Sequence, residues 1–230
     1  MRIRLRGWRK NMTIQRAKVS FHKLSAEELS AWKAIPVAIA GDAMNRQNLL
    51  QNRVKPLGQN YHLLGQARTV SVVAGDNSAI HAALGFVEPG QVLMVDGGGY
   101  ADRALWGGIL ASYAKRMKLA GVVLDGAVRD IAELRADDMP VYASGRSPAG
   151  PSKGWGGTID TAISCGGVAV RPGDLILGDD DGVAVIPLER VHTIRTIAEE
   201  RLAFEADVLE RIANGEDTAS IFTPHAIEDI

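Results

Sequence analysis

Arg129 and Asp130 stand side by side after an apolar run, and chemistry is expected at this pair first. A guanidinium can grip a carboxylate through two parallel hydrogen bonds, or polarise a keto oxygen. A neighbouring aspartate is a hard oxygen ligand for Mg2+ or Mn2+; Mg2+ commonly takes one or two carboxylates plus waters and substrate. An arginine and a metal converging on a 2-oxo acid stabilise an enolate, which supports carbon–carbon cleavage or decarboxylation beside a carbonyl. Upstream, Trp106-Gly107-Gly108 falls in the first turns of an expected helix. Main-chain N–H groups lack partners there and the helix dipole is positive. Two glycines leave room for a carboxylate or phosphate to approach the backbone.

These residues need elements to position them, and residues 93–130 supply a strand, a glycine loop, a helix and a second strand. Leu93-Met94-Val95 reads as a buried strand and Gly97-Gly98-Gly99 as a loop. Leu105, Ile109, Tyr113 and Met117 recur at helical spacing, predicting a helix from Ala101 to Leu119. Gly121 to Leu124 reads as a strand closed by a turn at Asp125-Gly126. Such a βαβ unit makes its strands parallel and places ligands beyond their carboxyl ends.

Around this centre the sequence predicts one α/β domain. Residues 1–24 form an N-terminal arm, 25–187 the core, and 188–230 a C-terminal helix and tail. Residues 1–12 are basic and read as a solvated arm, or as an upstream extension if Met12 is the true start. Ser25 and Glu28 make a capping box for a helix from Ala26 to Lys33. A second helix follows Pro36 to Arg46, and residues 51–67 read as an irregular connection. Then come a strand over Ala67–Ala74, a helix capped by Asn77 running to Leu84, and a Pro89-Gly90 turn. Beyond Asp130 a short helix, Ile131 to Ala136, precedes a strand at Val141-Tyr142-Ala143. Residues 144–157 form a Gly/Pro-rich loop able to close over a site. Runs at 168–170, 175–177 and 183–186 read as strands, and Leu188 to Ala213 as a long charged helix that reaches a neighbouring subunit.

Composition excludes several classes. The net charge of −1 gives no case for nucleic acid or an anionic membrane, and no apolar run approaches a membrane span. The single cysteine, Cys165, permits no internal disulfide, reads as an inert thiol, and fits a cytoplasmic location. The triglycine is not a dinucleotide fingerprint, the five histidines lack zinc spacing, and His81 reads as a core histidine. Asp179 to Asp181 read as a solvated turn.

The segment GGGYADRALWGGILASYAKRMKLAGVVLDGAVRD, and above all LDGAVRD at 124–130, resembles the class II 4-hydroxy-4-methyl-2-oxoglutarate/4-carboxy-4-hydroxy-2-oxoadipate aldolases. That family is related to the regulators of ribonuclease E activity, and some members decarboxylate oxaloacetate. The likeness extends from Val37 to Pro187. It implies a swivelling β/β/α core, a homotrimer or homohexamer, and a Mg2+ or Mn2+ cofactor held directly by Asp130. Arg129 would stabilise the enolate as the catalytic arginine. Gly107, Gly108 and the amides of Ile109 and Leu110 would bind the substrate carboxylate. Glu205 of a neighbouring subunit, with Glu200 the alternative, would hold a metal water. The aldolase pattern also has an aspartate separated by twenty residues from Arg-Asp, and that position is Gly108 here. The group that moves the substrate's proton must then come from elsewhere, with Asp96, Asp102 and Asp125 as candidates. Oxaloacetate decarboxylation is the activity expected to suffer least. The substrate class is a small 2-oxo dicarboxylate; the rival reading is a non-catalytic binding protein acting on a ribonuclease.

Overall fold

The computed structural model describes residues 13–222. The basic stretch at 1–12 and the end of the tail beyond Phe222 lie outside the described residues. The chain begins with β1 (Ile14–Arg16), α1 (Ala26–Ser30), α2 (Val37–Ala43), β2 (Lys55–Pro56), β3 (Leu63–Val72) and α3 (Ser78–Ala83). Next are β4 (Val92–Asp96), β5 (Ala104–Trp106), α4 (Gly108–Arg116), β6 (Gly121–Val128), α5 (Ile131–Ala136) and β7 (Val141–Arg146). Then follow β8 (Gly157–Ile159), β9 (Ile163–Cys165), β10 (Val168–Val170), β11 (Leu175–Gly178) and β12 (Val183–Ile186). A 3-10 turn at Leu188–Arg190 leads into α6 (Val191–Ala213), and α7 (Thr218–Ile221) ends the described chain.

The architecture is mixed α/β with a long C-terminal helix. Strands β3, β4, β6 and β7 pair in parallel, which confirms the expected βαβ relation of β4 and β6. Period-2 alternation buries both faces of these strands. Leu93 and Val95 point into one core cluster, while Val92 and Met94 point into another. The first cluster packs the sheet against α3, α4 and α5. The second joins it to the β9–β10 hairpin and to β11 and β12. A third seats α2 and α6 on β11 and β12. Strand β3 links the two halves of the sheet. Its Leu63–Gln66 end pairs antiparallel with β11, and its Ala67–Ser71 stretch pairs with β4.

Several sequence expectations are corrected. The connection at 51–67 is shorter than expected, because β3 starts at Leu63, a fully buried residue. The helix expected over Ala101–Leu119 is α4 alone. Ala104, Leu105 and Trp106 form β5 instead, fully buried, with Ala104 and Trp106 paired to the end of β6. The turn expected at Asp125-Gly126 is instead a shift in register against β7, and β6 continues through it to Val128. Asp125 stays in the strand because Arg53 grips its carboxylate at 2.7 and 3.1 Å. Asn77 does not cap α3 with its side chain, which donates to the Leu105 carbonyl instead. Asp76 takes that role, accepting from the Ser78 amide at 2.8 Å and from the Ser78 hydroxyl. The capping box of Ser25 and Glu28 is formed in both directions. The turn at Asp179–Asp181 is more than a solvated loop, since Asp179 accepts from the Val37 amide and caps α2 across the fold. Among the described residues no helix is long and apolar enough to cross a membrane.

Candidate functional site

The site forms where β5 and β6 end. The Arg129 amide donates to the Trp106 carbonyl at 3.0 Å, which holds the two strand ends together. Beyond this bond the chain turns sharply into α5, and Asp130 adopts a left-handed backbone (φ +59) to make the turn. A non-glycine residue there is uncommon, and such strain gathers at functional sites. The turn aims the Asp130 carboxylate back at α4, where its Oδ2 accepts from the Gly108 amide at 3.0 Å. Arg129 Nε lies 3.6 Å from the same oxygen, and both side chains are 40% exposed.

The first turn of α4 is open. Gly107 is its N-cap and offers no side chain. Gly108 spends its amide on Asp130, while the amides of Ile109 and Leu110 have no acceptor among the described residues. Ile109 is 78% exposed, although it begins a helix whose other face is core. These two amides and the positive helix end are left free to receive a negatively charged group.

The glycines leave room for the protein's own acids rather than for a ligand. A Cβ added at Gly107 would lie 2.6 Å from Asp130 Oδ2. One added at Gly108 would run into both carboxylate oxygens of Glu133. Sequence reasoning missed Glu133. Its signal was its place in the first turn of α5, three residues after Asp130. Of the three acids proposed from sequence, Asp125 and Asp96 are occupied elsewhere. Asp125 is buried and held by Arg53 and the Gly166 amide. Asp96 accepts from the Gly98 amide and from Ser71. Asp102 holds Ser147 only through its main-chain oxygen.

Arg129 stands between two hollows. One, of about 250 Å3, is lined by Val128, Arg129, Asp130, Ile131, Arg146, Ser147 and Pro148. The other, of about 110 Å3, runs along the α4 terminus from Gly107, Ile109 and Leu110 to Asn77, His81 and Lys153. His81 is therefore not the expected core histidine: it is exposed at the rim of this cavity. The triglycine loop, expected at the site, instead folds against β6, with the Gly99 amide donating to the Asp125 carbonyl. The Gly/Pro-rich loop is also more firmly held than expected. β7 takes its first residues, and the Ser152 and Trp155 amides are bound by Gly75 and Asp76.

Glu205 lies on α6, 3.5 Å from Arg201 of its own chain, and Arg201 also reaches Asp42 at 3.5 Å. Within one chain it is not brought to Arg129 and Asp130. Glu200 is on the same helix. Cys165 is buried, and burial pushes its thiol well above the usual range, so the inert reading holds.

An α/β fold whose strand ends carry an Arg-Asp pair over an open helix terminus defines a class, and comparison with known proteins identifies it. The family model described as "RraA-like: Aldolase/RraA" matches residues 37–185, and the chain belongs to that family. A protein of Halalkalibacterium halodurans named "Putative 4-hydroxy-4-methyl-2-oxoglutarate aldolase" is 39% identical over 175 residues, covering 76% of this chain and 83% of the relative. A Thermus thermophilus protein named "4-hydroxy-4-methyl-2-oxoglutarate aldolase" is 39% identical over 133 residues, 58% of this chain and 80% of that one. Among solved structures, Streptomyces coelicolor RraAS2, titled an unusual member of the RNase ES inhibitor RraA family, superposes with a TM-score of 0.75. It is 28% identical and covers 82% of this chain and 100% of its own. The names of these relatives support an aldolase, that is, a lyase.

Proposed function

We propose that this protein is a divalent-metal-dependent lyase. It cleaves 4-hydroxy-4-methyl-2-oxoglutarate-type 2-oxo dicarboxylates, and decarboxylates oxaloacetate, through a pyruvate enolate. The convergence of Arg129, Asp130 and Glu133 on the open first turn of α4 carries this reading. Asp130 fits Mg2+ or Mn2+: it is a hard oxygen donor, and the Gly108 amide engages only its Oδ2. When bound, the metal would draw electron density from the 2-keto group.

The chain's own residues do the rest. The Ile109 and Leu110 amides hold the 1-carboxylate of the substrate. Arg129 donates to the 2-keto oxygen and stabilises the negative charge that grows there. In the aldol substrate Glu133 accepts the C4 hydroxyl proton, the C3–C4 bond breaks, and its electrons pass into the enolate as C4 becomes a carbonyl. In oxaloacetate the same bond breaks with loss of CO2. The enolate then takes a proton at C3, and Glu133, beside Gly108, is the acid placed to deliver it. With Glu133 there, the bias towards decarboxylation expected from the missing aspartate no longer holds, and both substrates should turn over. The active assembly is a trimer or pair of trimers, in which Glu205 of another copy would hold a metal water; exposed Ile197, Phe204 and Ile212 on α6 support such contact.

A coupled assay for pyruvate release tests the proposal. Both substrates should be consumed with Mg2+ or Mn2+ and neither with a chelator; turnover indifferent to chelation would sink it. The relatives' names favour a second reading, a protein that binds and restrains a ribonuclease. Loss of turnover in Asp130→Ala favours the lyase. The binding reading gains if no metal-dependent turnover is found in the unaltered protein and Asp130→Ala still restrains a ribonuclease.

A further inference from the structure

A third hollow, of about 180 Å3, opens at the carboxyl end of β7. Arg53, Lys55 and Arg146 line it, Ser144 adds a hydroxyl, and no carboxylate is among its lining residues. Ligands of parallel sheets gather at this end of the strands. The register of β6 against β7 helps to shape it. Leu124 pairs with Ala143 but Ala127 with Gly145, so β6 carries an extra residue at Asp125-Gly126. Such a bulge re-aims side chains. Here Asp125 meets Arg53, and the Gly126 carbonyl accepts from the Ser144 hydroxyl at 3.3 Å.

Two of the three cations are held in place. Arg53 gives Nε and Nη2 to Asp125 at 3.1 and 2.7 Å, and Asp125 is itself buried and fixed by the Gly166 amide at 3.0 Å. That grip leaves Arg53 Nη1 without a partner among the described residues, on a side chain that is 44% exposed. Lys55 gives one N–H to the Asp181 carbonyl at 2.8 Å, which fixes the ammonium and leaves its other donors free to bind. The Arg146 side chain has no ion pair or hydrogen bond among the described residues, although it faces the same hollow. Asp125 balances the charge of Arg53, whereas Lys55 is paired with a neutral carbonyl and Arg146 with nothing. The hollow is therefore lined by two uncompensated positive charges, and a bound anion relieves their repulsion.

We propose that Arg53, Lys55, Arg146 and Ser144 form a binding site for a small doubly charged oxyanion, separate from the one at Arg129 and Asp130. Lys55 and Arg146 supply the charge that selects a dianion over a monoanion. Arg53, held from behind by Asp125, and the Ser144 hydroxyl supply directed hydrogen bonds. An inorganic tetrahedral oxyanion and a short dicarboxylate share this chemistry, and titration distinguishes them.

The test is calorimetric titration of the full chain at constant ionic strength, with sulfate and succinate as dianions and nitrate and acetate as monoanions. The unaltered protein should bind one dianion per chain about tenfold more tightly than the matching monoanion, as one further charge-assisted hydrogen bond allows. Lys55→Ala and Arg146→Ala should each weaken that binding by about tenfold, and both should melt like the unaltered protein because both side chains are exposed. Lys55→Arg should keep most of the affinity. Tighter binding of sulfate assigns the site to a tetrahedral oxyanion, and tighter binding of succinate to a dicarboxylate. Arg146 also lines the hollow beside Arg129 and Asp130, so Arg129→Ala is the control: dianion binding should survive it. Binding that is lost in Arg129→Ala, that is unchanged in both Lys55→Ala and Arg146→Ala, that is equal for dianions and monoanions, or that is absent in the unaltered protein overturns the site.

Discussion

Asp130 is held in a conformation that its own side chain resists. Left-handed backbone costs a residue with a Cβ roughly 1–2 kcal/mol, less for aspartate, whose short carboxylate can bond locally. The gain is direction: only this turn sends the carboxylate to the Gly108 amide and into the site. Two variants separate conformation from chemistry. Asp130→Gly and Asp130→Ala should both lose turnover by at least about 100-fold, as expected for a direct metal ligand. In thermal or urea denaturation Asp130→Gly should be the more stable of the two, by about 1 kcal/mol, because glycine accepts the left-handed turn. Equal stabilities would show that the turn is not strained. Position 108 gives a complementary expectation. Gly108→Ala should push the Glu133 carboxylate aside and lower kcat by about 10–100-fold with little loss of stability, since the clash is with the end of a flexible side chain. The double variant Gly108→Asp, Glu133→Ala should recover much of that loss by returning an acid to the same space.

At the scale of elements, the parts that were legible in the sequence were those governed by local rules. The capping box of α1, the extent of α6 and the pairing of β4 with β6 follow from residues close in sequence or from simple periodicity. The parts that were not legible depend on distant partners. Asp125-Gly126 reads as a turn until Arg53 supplies the ion pair that keeps Asp125 in its strand. Leu105 fits a helical stripe as well as a buried strand, and its neighbours on β6 decide for the strand. The site divided in the same way. Arg129, Asp130 and the α4 amides were named from sequence and lie together in the fold, but Glu133 required knowing that the space at Gly108 was filled. Asp76, likewise unread, ties three pieces together: the start of α3, the Trp155 amide and, through Ser78, the Gly156 amide. Removing a fully buried carboxylate with several donors leaves those donors unpaired. Asp76→Ala should therefore cost about 2–4 kcal/mol in urea unfolding.

At the scale of the whole molecule, the described residues leave one apolar flank uncovered. Ile197, Phe204, Leu209 and Ile212 of α6 and Phe222 beyond it are all at least 40% exposed. Leaving such a flank in water is unfavourable, and a second copy of the chain is the covering proposed above. Phe204→Glu should shift the protein to a smaller species in sedimentation velocity and depress turnover if Glu205 of another copy completes the site; an unchanged sedimentation coefficient would refute that arrangement.

Strand β3 has a consequence for how the chain is made. Its Leu63–Gln66 end has β11 as its antiparallel partner, and β11 begins only at Leu175. During synthesis at about 5–20 residues per second, that edge waits for roughly ten seconds with its amides and carbonyls unmatched. An exposed strand edge is a template for pairing with another chain. The ribosome-bound intermediate is therefore the stage at which this protein is most exposed to aggregation, and slow translation between residues 66 and 175 should lower the yield of folded chains.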